Sequence, residues 1–136
     1  MQIVGPIDIE AAVASELAAV LTDKTVTAYP PPDGIGAGTV SVMSLGSFEQ
    51  SEVSDGYDIV AYAWESTYSA AYKTAFQVCT AIRALRFLGG SESGATFTTS
   101  TANAPYEDPD PVRKTLKRCT VRATVGARGA GFIDNQ

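Results

Sequence analysis

The sequence predicts an α+β domain: a mostly antiparallel sheet with an N-terminal helix and a central helix packed on one face. Three observations carry this. Two segments place apolar residues at helical spacing, at 9–22 and 69–88. Two others alternate with period two, at 57–65 and 112–125. Proline- and glycine-rich stretches separate them, so strands flank the central helix instead of alternating with helices. At 136 residues and 45% hydrophobic content the chain fits one domain, expected over 1–126 and followed by a flexible Gly-rich tail at 127–136.

Asp8 is placed to cap the first helix, and Ile9, Val13, Leu17, Val20 and Leu21 form its apolar stripe. Residues 25–29 (TVTAY) read as a short strand. The run Pro30-Pro31-Pro32-Asp33-Gly34-Ile35-Gly36-Ala37-Gly38 continues neither regular element and is a loop. Residues 39–43 (TVSVM) read as a second strand. Residues 44–56 are polar, carry Glu49, Glu52 and Asp55, and read as a loop closing on Asp55-Gly56.

Residues 57–65 (YDIVAYAWE) form the strongest strand. Tyr57, Ile59, Ala61 and Ala63 share one face, and Val60, Tyr62 and Trp64 share the other, so both faces ask to be covered. The second helix follows, capped by Ser69. Its expected stripe is Tyr72, Ala75, Phe76, Cys79, Ile82 and Leu85, and Gly89-Gly90 stops it. A strand at 94–100, a Pro-broken acidic loop at 101–111 and a long strand at 112–125 complete the order.

The chain has no histidine, which removes the commonest general base and metal ligand. No cofactor or metal site is expected. Gly34, Gly36 and Gly38 precede a strand, not a helix, so they are poor phosphate binders. Glu107, Asp108 and Asp110 on a Pro-broken loop are a weak divalent-ion pattern. Cys79 and Cys119 lie in apolar segments without partners at ligand spacing and read as buried thiols. No apolar run of ~18 residues exists, so no transmembrane helix and no membrane partner is expected.

The formal net charge is −5, unevenly spread. Residues 1–68 hold ten acids and Lys24, whereas residues 69–136 hold nine bases and five acids. Such asymmetry favours charge pairing, within the fold or between copies. The candidate inter-subunit residues are Lys117, Arg118 and Arg122 on the last strand, set against Glu49, Glu52 and Asp55 of the acidic loop. Arg118 and Arg122 share a strand face. Tyr62, Trp64 and Tyr68 are the aromatic candidates, with Trp64 more readily read as core than as interface. Lining of a channel for DNA is a third reading of the basic strand, and a monomeric peptide-binding module is an alternative for the whole domain.

The pattern resembles the tail terminator (tail-to-head joining) proteins of long-tailed bacteriophages. The resemblance runs over roughly residues 7–126. It is carried by the amphipathic start DIEAAVASELAAVL, the crossing YPPPDGIGAG, the strand-to-helix passage YDIVAYAWESTYSAAYKTAFQVCTAIRAL, the polar loop GATFTTSTANAPYEDPD and the last strand VRKTLKRCTVRATV. The resemblance implies a non-enzymatic virion protein, assembled in the host bacterial cytoplasm and located at the tail-neck junction. It implies a homo-oligomeric ring, typically a hexamer, that caps the tail tube, ends its polymerisation and joins the tail to the head connector. The implied partners are further copies of itself, the tail tube protein and a head completion protein, with DNA only as passing cargo. A head completion or neck protein on the portal side is the alternative within the same virions.

Overall fold

The computed structural model describes residues 2–87 and 93–133. The elements run β1 (Gln2–Gly5), α1 (Ile9–Val20), β2 (Thr25–Ala28), β3 (Thr39–Glu49), β4 (Ser54–Glu65), α2 (Tyr68–Ala84), a 3-10 turn (Leu85–Phe87), β5 (Phe97–Ala102), β6 (Tyr106–Glu107), β7 (Lys117–Arg128) and β8 (Ala130–Ile133). The main sheet has the order β2-β3-β4-β7-β5, and β6 continues the β5 edge of β7. All pairings in it are antiparallel except β2 with β3. β1 and β8 form a separate antiparallel pair. The α+β class is thus the one expected, with both helices on one face.

That face is set by alternation. On β4, Tyr57, Ile59, Ala61 and Ala63 point at the helices, and on β7 Cys119, Val121, Ala123 and Val125 do so beside them. Val40 and Val42 of β3 complete the floor. Against it pack Ile9, Val13 and Leu17 of α1, and Ala71, Ala75, Val78 and Ile82 of α2. The Asp8 side chain accepts from Ala11 N at 3.1 Å and caps α1.

Several boundaries depart from expectation. Thr67, not Ser69, caps α2, its hydroxyl accepting from Ala70 N at 3.1 Å. Phe76 is 54% exposed and Val20 65% exposed, so neither belongs to a buried stripe. The buried face of α2 is formed by Ala71, Thr74, Ala75, Val78, Cys79 and Ile82, with Tyr72 half-buried at its margin and Phe76 outside it. The expected loop at 44–56 is two strands and a turn, with a register shift between Ser44 and Gly46. Gly46, at φ 149, adopts backbone that side chains resist. Residues 112–116 precede the last strand, which instead runs on to Arg128. The expected loose tail holds the end of β7 and all of β8, which pairs Ile133 with Gln2. Gly89-Gly90 and residues 134–136 lie outside the described residues.

Candidate functional site

The face of the sheet away from the helices carries Thr39, Ser41 and Met43 of β3, Asp58, Val60, Tyr62 and Trp64 of β4, and Arg118, Thr120, Arg122 and Thr124 of β7. It is divided in two. At one end the segment before β7 folds over it, and at the other it stands open.

The covered end is organised by Asp110. Its carboxylate accepts from Trp64 Nε1 at 2.9 Å, from Val112 N at 2.9 Å and from Arg113 N at 3.2 Å, and it pairs with the Arg113 guanidinium at 3.3 Å. Burial alone would raise its pKa, but these donors outweigh that and hold the carboxyl at about 2. Arg113 lies 5.6 Å from the Trp64 ring centroid, completing a lid over an indole that is 1% exposed. Trp64 is therefore core, the alternative its sequence position left open.

Arg118 is held beside it. Its Nε donates to Asp108 O at 2.8 Å, its guanidinium pairs with the Asp108 carboxylate at 3.1 Å, and it lies over the Tyr62 ring at 4.6 Å. Thr120 Oγ1 donates to the same Asp108 carboxylate at 2.8 Å. Tyr62 itself sits between Tyr29 and Trp64, with ring centroids 6.0 and 5.7 Å away. Burial raises the Tyr62 hydroxyl pKa, and Arg118 draws it partly back. Arg118 and Tyr62 thus serve the fold of one chain, which alternation alone could not foresee.

The other predicted residues scatter. Lys117 points to the helix face, where its Nζ lies 5.7 Å from the ring of half-buried Tyr68 at the start of α2. Arg122 is exposed and has no ion partner among the described residues. It lines a depression of about 280 Å³ with Leu45, Asp58, Thr101, Asn103 and Thr124. Thr124 Oγ1 donates to Asp58 at 3.0 Å across its floor.

The acidic residues stay together. Glu49 and Asp55 face each other across the β3–β4 hairpin, and Glu52 lies in its turn. The turn closes through Gln50 N and Ser51 N donating to Ser54 O, each at 3.1 Å. Gly129 N donates to Val53 O at 2.7 Å and ties the tip to the end of β7. Asp55 is level with Ala127, whereas Arg118 is level with Trp64. At ~3.4 Å per residue this sets the acidic tip roughly 30 Å along the sheet from Arg118. The acidic hairpin pairs with β7 at Gly126–Arg128, and the structure does not bring its tip beside Arg118 within one chain.

Three surface features escaped the sequence reading. Leu45, Phe48 and Val53 expose apolar side chains on the hairpin. Phe48 lies over Gly56 and occupies the place that a Cβ there would take. Phe87 is 74% exposed at the far end of the helix layer, with Arg86 4.7 Å from its ring centroid. Among the described residues, no group of three or more acidic or cysteine side chains could hold a metal ion. Both cysteines are free and buried. Burial, with the Glu107 charge adding to it, pushes Cys119 up to about 11.

No family model matches the chain, and no curated protein matches it. Among solved structures it is similar to a chain from a structure described as the virion of a native gene transfer agent particle, at 15% identity and a TM-score of 0.58. The match covers 89% of this chain and 95% of that one. At that identity the likeness shows a shared fold.

Proposed function

We propose that the chain is a structural component of a phage-like virion, a ring-forming protein that caps the tail tube, ends its polymerisation and joins the tail to the head connector. The observation that supports this reading is the shared fold with a chain of a gene transfer agent virion, over 89% of this chain and 95% of that one. The surface agrees with the reading. Polar chemistry on the clad end of the sheet is spent on internal structure, and the acidic hairpin is left for contacts with neighbours.

Such a cap needs a lateral contact between identical copies that closes on itself. It also needs one face that pairs with the tube and another that does not repeat the tube's docking surface. Further copies, the tail tube protein and a head completion protein are the proposed partners, with DNA as passing cargo only. Tails isolated from a lysate blocked in head assembly provide the test. The chain is expected on their head-proximal end, and tails lacking it are expected to be over-long. Its absence from such tails, with presence on isolated heads, would transfer it to the portal side of the neck.

A further inference from the structure

The acidic hairpin has a counterpart on the same molecule, and it is not the basic strand. Residues 45–56 carry Glu49, Glu52 and Asp55 and no base. Residues 68–87, spanning α2 and its 3-10 extension, carry Lys73, Arg83 and Arg86 and no acid. None of these three bases has an ion partner among the described residues, although Arg83 donates to Ala102 O at 2.7 Å. Each surface also offers apolar groups. The hairpin exposes Leu45, Phe48 and Val53, and the helix exposes Phe76 and Phe87.

The helical residues form one stripe. Phe76, Thr80, Arg83 and Phe87 recur at intervals of four, three and four along the outward side, with Lys73 three residues before Phe76. The hairpin and this stripe do not overlap. One is the open end of the sheet, and the other is the outside of the helix layer. Two distinct complementary surfaces on one chain make a head-to-tail contact, the kind that closes into rings.

We propose that the acidic β3–β4 hairpin of one copy seats on the outward face of α2 of the next copy. This contact rests on the ring-forming reading and supplies its lateral interface. Apolar contact of Phe48 and Val53 with Phe76 and Phe87 forms the centre, and the opposed charges fix register and exclude a like-on-like pairing.

Charge exchange tests it. One variant reverses the tip (Glu49→Lys with Glu52→Lys) and another reverses the helix (Lys73→Glu with Arg86→Glu). All four side chains are solvent-exposed. Each variant alone is expected to need at least ~tenfold more protein to assemble than the parent, read by light scattering after size exclusion. Mixed in equal amounts, the two are expected to assemble again as alternating copies, because the acidic tip of one meets the basic helix of the other and the reversed tip meets the reversed helix. A chain carrying all four changes is expected to assemble again, a rescue that a folding defect cannot produce. Phe87→Ser probes the helix surface independently, should the reversals lower thermal stability.

A parent that assembles together with variants that assemble equally well overturns the contact and leaves the ring reading standing. The same holds for mixtures that stay monomeric, and for variants that form rings but fail to enter virions. A parent that remains monomeric at every concentration, and is absent from particles, overturns both.

Discussion

Replacing Asp110 by alanine should unlatch the lid over Trp64. The carboxylate receives four donors: Trp64 Nε1, the backbone N–H groups of Val112 and Arg113, and the Arg113 guanidinium. Its side chain is only 3% exposed, so water cannot replace it in place. Removing one partner from a buried, hydrogen-bonded charge cluster costs ~3–5 kcal/mol, and partial relaxation of the 111–116 segment brings the expected loss to about 3 kcal/mol. For a domain of this size that is a fall of roughly 10 °C in Tm. Trp64 is the single tryptophan, so its fluorescence reports the site directly and should shift to the red as the indole gains water.

The pH dependence is a second reading of the same site. The Asp110 pKa falls from 3.8 to about 2 on folding. A depressed carboxylate contributes stability that is present above its unfolded value and lost as pH falls through its folded value. The contribution is about 2 kcal/mol at neutral pH. The stability difference between the parent and Asp110→Asn should therefore shrink by about that amount from pH ~5 to pH ~2. An alanine variant within about 0.5 kcal/mol of the parent, with unchanged emission, would refute the latch.

Two other outcomes are expected. Lys24 pairs with the buried carboxylate of Glu65 at 3.1 Å, which also accepts from Thr74 Oγ1 at 2.6 Å. The hydrogen bond to Glu65 is the main cause that raises the Lys24 pKa above 10.5. Lys24→Met should cost about 2 kcal/mol in denaturant titrations at neutral pH. That penalty should be whole below pH 10.5 and fade as pH rises through the folded value, and a penalty that grows with alkalinity would contradict the pairing. Both thiols should resist iodoacetamide in the native chain at pH ~8 and react fully once unfolded, as read by mass spectrometry, because Cys119 titrates near 11 and both are enclosed. Rapid labelling of the folded protein would place one of them at the surface.

Much of the fold was legible because it is written in local periodicity. The two faces of YDIVAYAWE and the alternation of residues 117–125 follow from side-chain geometry alone. What was illegible depends on distant partners. Residues 44–56 are rich in serine, glycine and acids, and they become strands because 44–49 pair with β4, 54–56 pair with β7 and Phe48 covers Gly56. GARGAGFI carries too little side chain to announce a strand; its first three residues extend β7 against β4, and Ala130–Ile133 form a strand against the backbone of β1. The aromatic Phe76 was read as core because it fits a helical stripe, whereas the buried stripe runs beside it through Ala71, Ala75, Val78 and Ile82. The same holds for the candidate interface. The acidic triad was found intact, since its residues are neighbours in sequence. The intrachain pairing of Arg118 is not visible in the sequence, because its partners, Asp108 and Asp110, reach it only when the proline-rich segment folds back.

The contrast between the clad and bare ends of the sheet separates two demands that usually compete for the same residues. Where the indole is latched, almost every polar atom is committed, and change is costly. At the hairpin, side chains from Leu45 to Val53 are exposed, and Phe48 over Gly56 is the main packing contact that they make. Substitutions along that tip therefore leave the scaffold largely intact, whereas the same changes at the latch do not.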